Sequence, residues 1–280
     1  MTIFQSRVWR RGYGKTLIAT LFVLAYLFPV YWMVATSLKS SGDIFAVPPK
    51  LMPIPPDFSP YNDEVLNNPV LLTVFLNSVI ISLGTMGLTL LLAVPGAYGL
   101  SRLKLSGSGL ILLVLLVGQL LPSIVIAGPL FLIYSRIGLL NTYTGLILAD
   151  TTFTLPFSVI ILRPFFLSVP SDLEAAAKVD GCTQFGVMWR IVIPYVRPGI
   201  ITVAALAFLI AWGEFIFALS LNTKTNQPVT VALNNFIGQY GTDWNNMMAV
   251  STVVAMPIII IFASLQRFIV GGLTSGAVNE

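Results

Sequence analysis

The chain has 280 residues, of which 56% are hydrophobic and only 9% charged, against roughly a quarter charged in a soluble domain. So few charges cannot clothe a water-exposed surface, which leaves an integral membrane protein. The net charge of +4, with its basic residues set beside apolar runs, gives no reason to expect nucleic-acid binding. The single cysteine, Cys182, excludes an intrachain disulfide. The absence of histidine removes the commonest metal ligand and the usual neutral-pH base, and with them zinc sites of Cys/His type and Ser-His or Cys-His hydrolases.

A helix needs about 20 apolar residues to cross ~30 Å of hydrocarbon, and the intervals between charges supply six such spans. The first lies between Lys15 and Lys39. Ala35-Thr36-Ser37 resembles a signal cleavage site, but a signal core has only ~7–15 apolar residues, so a retained anchor is expected. An outer loop, residues 39–70, follows with Pro48, Pro49, Pro53, Pro55, Pro56, Pro60 and Pro69, and reads as extended rather than helical. The second span covers residues 71–100 and the third lies between Lys104 and Arg136. The fourth, between Arg136 and Arg163, carries Asp150 and the stretch NTYTGLILADTTFTLP, which is polar for a lipid-facing helix. The fifth runs from Arg197 to Asn222 through Glu214, and the sixth lies between Asp243 and Arg267.

With the N-terminus inside, eleven lysines and arginines fall on the cytoplasmic side: Arg7, Arg10, Arg11, Lys15, Arg102, Lys104, Arg163, Lys178, Arg190, Arg197 and Arg267. Lys39, Lys50, Arg136 and Lys224 fall outside. This positive-inside bias puts both termini in the cytoplasm. The expected organisation is a cytoplasmic N-terminus at 1–15, an all-α membrane domain at 16–268 and a cytoplasmic tail at 269–280. Pro29, Pro95, Pro122, Pro129, Pro156 and Pro257 interrupt the spans. Each frees a carbonyl that a neighbour must satisfy, which fits a protein-lined pathway as well as ordinary kinks. No strong repeat relates the first three spans to the last three.

One cytoplasmic loop, residues 166–197, stands apart. Its SDLEAAAKVDG opens with Ser171 and Glu174 at capping-box spacing. Asp172 and Glu174 suit the helix dipole in the first turn, and Ala175, Ala176 and Ala177 are strong helix formers. Gly181 is expected to stop the helix as a left-handed cap. A second helical run from Gln184 is expected to end at Pro194. A short alanine-rich helix in such a loop is either a docking knob for a soluble partner or an interfacial helix packed on its own loop.

The loop resembles the cytoplasmic signature of ATP-binding-cassette (ABC) import permeases: EAA, three residues, Gly, nine residues, then Ile-x-Leu-Pro. Gly181 is followed by nine residues and IVIP, with Ile193 in place of leucine. The alanine pair falls at Ala176 and Ala177, and the signature glutamate at Ala175, one place after Glu174. Glu174 either substitutes for that glutamate or serves as the N-cap partner. GAYGLSRLKLSG (96–107), IGLLNTYTGLIL (137–148), AWGEFIFALSL (211–221) and QRFIVGGLTSGAV (266–278) look similar to the carbohydrate-uptake branch, on the side of its MalG-like subunits.

The resemblance implies a permease half that pairs with a second, MalF-like permease, a dimeric ABC ATPase holding ATP and Mg, and an extracytoplasmic sugar-binding protein. It implies no cofactor on this chain and no nucleic acid. The handle for the ATPase would be Glu174, Ala175, Ala176, Ala177, Asp180 and Gly181, while Arg190 and Arg197 anchor the loop at lipid headgroups. No nucleotide site is expected: RGYGKT (11–16) mimics the end of a phosphate-binding loop, but Trp9 stands where that loop needs glycine. Candidates for the translocation path are polar residues inside spans. Glu214 would cost about 2.5–3.5 kcal/mol facing lipid at mid-membrane, so it should face protein or water. Asp150, Thr151, Thr152, Asn77, Gln119 and Trp212 offer hydrogen bonds or a stacking face for a sugar ring. Alternatively Asp150 and Glu214 lie at the outer rim and meet water. Other readings are an importer of a non-sugar solute such as a glycerol phosphate, an ion-coupled secondary transporter, which needs paired halves and buried relays, and a membrane enzyme.

Overall fold

The computed structural model describes residues 3–103, 105–222, 225–238 and 241–275, with side chains omitted for 3–13, 265 and 267–275. Lys104, Lys224 and residues 276–280, which include the end of the 266–278 stretch, therefore lie outside the described residues, as do the side chains of Arg7, Arg10, Arg11 and Arg267. In chain order the helices are α1 (Ile3–Ser37), α2 (Ser41–Ile44), α3 (Pro69–Arg102), α4 (Ser108–Gly118), α5 (Ser123–Ile137), α6 (Tyr143–Leu167), α7 (Ser171–Val179), α8 (Gln184–Val187), α9 (Ile193–Tyr195), α10 (Arg197–Trp212), α11 (Ile216–Leu221), α12 (Val229–Asn234) and α13 (Trp244–Ser275). Wide π-type turns occupy Tyr61–Leu66 and Met188–Val192, and a two-stranded hairpin pairs β1 (Ile237–Gly238) with β2 (Gly241–Thr242).

Four helices are long and apolar enough to cross a membrane: α1 from Gly14, α3, α6 and α13 to Ser264. Two bent pairs raise the number to six if each is one span: α4 with α5, bent by 95°, and residues 184–195 with α10, bent by 79°. Two of the expected spans are therefore not single rods. The third breaks at residues 119–122 because Pro122 offers no amide and sits in extended geometry, ψ 138°, ahead of α5. The fifth stops at Trp212, and the chain passes through Gly213–Phe215 before α11 resumes. The fourth, polar on paper, is the continuous 25-residue α6. Several polar side chains at its start and along it are satisfied internally: Thr142 accepts the Gly145 amide at 3.0 Å, Ser158 donates to the Thr154 carbonyl at 2.6 Å, and Thr154 bonds Thr89 of α3 at 2.6 Å. Polarity marks α6 as an interior helix, and half of its most apolar window is buried where none of α1's is.

The chain divides into two compact units, residues 1–69 with 235–255 and residues 70–234 with 256–280. In the first, α1 exposes every side chain from residue 14 to 31, an apolar surface made for lipid or a protein partner. The proline-rich loop clasps the end of α1. Tyr31 donates to the Leu51 carbonyl at 2.8 Å, the Asp57 amide to the Leu38 carbonyl at 2.8 Å, and Ser37 meets the Tyr61 hydroxyl at 2.7 Å. This loop is irregular over 45–58 as expected, but helical at Ser41–Ile44 and Tyr61–Leu66, where its composition is no longer proline-dense. Lys39, expected as an outer flanking charge, is buried, with its ammonium 4.0 Å from the Trp32 ring centroid.

The second unit holds two cores. One joins the end of α3 (Ala93, Ala97, Tyr98), the end of α6 (Leu162, Phe166) and the loop residues Ala177, Val187 and Val192. The other gathers Ala127 and Tyr134 of α5, Leu146 and Ala149 of α6, and Phe217 and Leu221 of α11. At Gly199, α10 lies so close to the Phe165 ring that an added Cβ would fall 2.6 Å from it.

Candidate functional site

The charged loop is built around α7. The expected capping box does not form: Pro170 occupies the N-cap position, without a side-chain hydrogen bond, and Ser171 is already helical. Glu174 turns inward instead. It is 7% exposed, its Oε1 lies 2.7 Å from Arg102 Nε, and its Oε2 accepts from the Tyr98 hydroxyl at 3.2 Å. Gln184 donates to the same hydroxyl, and the Arg102 guanidinium donates to the Val169 carbonyl. Tyr98 and Arg102 stand one helical turn apart near the end of α3. At ~1.5 Å per residue this 34-residue helix outruns ~30 Å of hydrocarbon, so its last turn can meet the loop.

The other end of α7 closes as the sequence implies. Gly181 takes φ +85°, the Cys182 amide donates to the Ala177 carbonyl at 2.9 Å and the Gly181 amide to that of Lys178 at 3.0 Å, the pairing of a Schellman cap. The helix is two-faced. Glu174 and Ala177 are buried, while Ala175, Ala176, Lys178, Val179 and Asp180 are exposed, Val179 by 88%. Phe185 and Trp189 add exposed aromatic surface beside it. The following run does not stop at Pro194. Through the π-turn it reaches Tyr195, since proline is tolerated in the first turn of α9. Arg190 and Arg197 are exposed.

A second feature lies inside the helical unit. The two helix breaks and α6 border an open cavity of about 470 Å³. Gln119 and Ser123 line it from the α4–α5 break, Asp150, Phe153 and Phe157 from α6, and Gly213, Glu214, Phe215 and Phe217 from the α10–α11 break. Glu214 explains how that break is stabilised: its two carboxylate oxygens accept the Phe217 amide at 2.8 Å and the Ala218 amide at 3.0 Å, capping α11. Its carbonyl accepts from Thr230 at 2.8 Å. Gln119 donates to the Phe153 carbonyl at 2.9 Å. Asp150 is 3% exposed, and its Oδ1 has no hydrogen-bond partner among the described residues.

Of the path candidates, the structure brings Gln119, Asp150 and Glu214 together and leaves the others elsewhere. Asp150 is buried rather than lying on an exposed rim. Asn77 joins α3 to the segment before α12, donating to the Gln227 carbonyl at 2.9 Å and accepting from Tyr143 at 2.6 Å. Thr151 and Thr152 bond back to the Ile147 and Ala149 carbonyls, both at 2.6 Å. Trp212 is buried, stacked on Phe208 at 5.5 Å with Phe75 edge-on, so its faces are occupied. Sequence reasoning missed Ser123 and the roles of Tyr98, Arg102 and Gln184. The i, i+4 spacing of Tyr98 and Arg102 just before the loop was the available signal.

Residues 11–16 are helical, within α1, so they form no phosphate-cradling loop. Among the described residues no group of three or more Cys, Asp or Glu side chains could hold a metal ion. Helices long and apolar enough to cross a membrane, a polar interior helix and a largely apolar cavity at two helix breaks are the architecture of a membrane transport subunit. Residues 90–274 match the model of the "Binding-protein-dependent transport system inner membrane component" family, and the chain belongs to that family. It is 37% identical to the probable ABC transporter permease protein YurM of Bacillus subtilis over 92% of this chain and 86% of that protein. It is 36% identical to the trehalose transport system permease protein SugB of Mycobacterium tuberculosis, over 96% and 98%. Its fold matches a chain of a bacterial ABC transporter that imports the acidic polysaccharide alginate, with TM-score 0.77, 22% identity, and coverage of 94% and 97%. The chain is thus an inner-membrane permease subunit of an ABC importer, and the ion-coupled and enzymatic alternatives fall away.

Proposed function

We propose that this chain is the MalG-like half of a sugar-importing permease pair, driven by a separate dimeric ATPase through α7. The observation that carries the reading is the two-faced character of α7. Its inner face is tied to α3 through Glu174 and Arg102, while Ala175, Ala176, Val179 and Asp180 remain bare. Small exposed side chains admit another backbone closely, so a soluble subunit can seat there. Force applied to the outer face passes through the ion pair into α3 and the helical core. Glu174 thereby performs the membrane-side task, although the signature position falls on Ala175.

In this reading α4 with α5, and α10 with α11, each complete one span, giving six with α1, α3, α6 and α13, and both termini and α7 are cytoplasmic. A second, MalF-like permease completes the path, and an extracytoplasmic binding protein delivers the sugar. ATP and Mg sit on the ATPase, and lipid surrounds α1. The kinship with the trehalose permease supports a sugar over a glycerol phosphate. The cavity beside α6 is this chain's share of the path.

The test is Gly181→Glu in the assembled transporter. A side chain at φ +85° is strained and a new charge lands on the seat. The ATPase should no longer copurify and uptake should cease, while the variant still inserts in the membrane. Normal uptake with the ATPase still bound would end the proposal.

A further inference from the structure

We infer that the cavity between α6 and the two helix breaks is a saccharide subsite that takes neutral or amino sugars and rejects acidic ones. The inference rests on the reading that this cavity belongs to the transport path, and it adds the charge of the cargo.

The argument is a count of donors and acceptors. Four polar side chains line the cavity: Gln119, Ser123, Asp150 and Glu214. Gln119 gives one of its two amide N–H donors to the Phe153 carbonyl, which leaves the other N–H and its acceptor Oε1. As carboxylates, Asp150 and Glu214 would only accept. Glu214 already takes two backbone amides and retains further lone pairs, and Asp150 Oδ1, more than nine-tenths buried, has no partner among the described residues. Ser123 supplies the one hydroxyl, and no lysine or arginine is among the lining residues. The rest of the wall is largely phenylalanine, at 153, 157, 215 and 217.

Such a lining needs a ligand that donates. Each sugar hydroxyl supplies a donor, the C–H faces of a pyranose suit phenylalanine walls, and an ammonium adds three donors and a compensating charge. The acidic group of a uronate, sulfonate or phosphate puts an acceptor and a negative charge where a neutral sugar has a donor, opposite two carboxyl groups and no cation among the lining residues. The volume of about 470 Å³ lies within the range of small-ligand sites, roughly 300–1,000 Å³. The inference sets the cargo of this chain apart from that of the alginate importer whose fold it shares.

The experiment uses the chain with its partner permease and ATPase in lipid nanodiscs, without the binding protein, so that the latter's own selectivity does not enter. Dissociation constants for glucose, glucosamine and glucuronate are read at neutral pH by saturation-transfer NMR. Glucosamine should bind at least as tightly as glucose, and glucuronate at least tenfold more weakly. Asp150→Asn should bring glucuronate to within about threefold of glucose. The wild-type comparison stands alone if that variant fails to assemble. Glucuronate binding as tightly as glucose in the wild type overturns the inference, as does a ratio unmoved by both Asp150→Asn and Glu214→Gln. If the sugars bind regardless of charge and Ser123→Phe blocks them, only the charge preference falls. If none binds and Ser123→Phe leaves uptake unchanged, the path reading falls with it.

Discussion

Two buried acids in the same helical unit have opposite surroundings. Glu174 has an arginine at 2.7 Å and a tyrosine hydroxyl at 3.2 Å. Asp150, just as buried, has an oxygen with no hydrogen-bond partner among the described residues and faces a cavity. A buried charge that finds its partner inside the fold is a joint between elements. One that does not is left for something the chain itself lacks. The same contrast separates the two halves of the proposed function, transmission at the loop and cargo contact in the cavity.

The comparison is broken most directly by removing the partner. Arg102→Ala should leave Glu174 buried without compensation and destabilise the helical unit by about 3–5 kcal/mol. This is read as a large fall in the detergent-solubilised melting temperature, with loss of ATPase copurification. Asp150→Asn should do the opposite: with no cation to lose, replacing the carboxyl by a neutral amide should leave stability unchanged or raise it, while altering sugar selectivity. Equal effects of the two substitutions on melting temperature would erase the distinction between joint and site.

Smaller effects sharpen it. Gly181→Ala, strained at φ +85°, should cost roughly 1–2 kcal/mol and fray the cap of α7. Uptake should fall in part, far less than with Gly181→Glu, because the seat stays uncharged. Smallest is Ser59→Ala in the proline-rich loop, which belongs to the other compact unit. The Ser59 hydroxyl and then its amide hold the Asp57 carboxyl below the usual carboxylate range. A depressed carboxylate contributes to local order above its ordinary pKa, and the contribution fades as pH falls through the lowered value. In the variant that fading should begin at higher pH, visible in a carbon-13 titration of Asp57, with uptake at neutral pH unchanged.

Much of this was legible along the chain because its signals are local. Apolar runs between charges mark spans, and alanines followed by Gly181 mark a short capped helix. Glu174 was read two ways because its alternatives, a reach back to the Ser171 amide and an ion pair with a residue 72 positions earlier, look alike in a linear text. The break at Pro122 was legible as a proline but not as a 95° turn. The polarity of residues 141–156 weakened the fourth span when read alone, and turned out to signal an interior helix.

By itself, then, the sequence determined that this is a mostly helical membrane protein with several apolar spans, one short charged helix between them, and no histidine. Each of these follows from composition or from spacing within a few helical turns. Only the tertiary structure decided which buried acid is paired, which spans are bent, and that Gln119, Asp150 and Glu214 share one cavity while Asn77, Thr152 and Trp212 do not. Those outcomes depend on contacts between residues far apart in sequence, where packing and the cost of an unpaired charge, rather than local propensity, choose the arrangement.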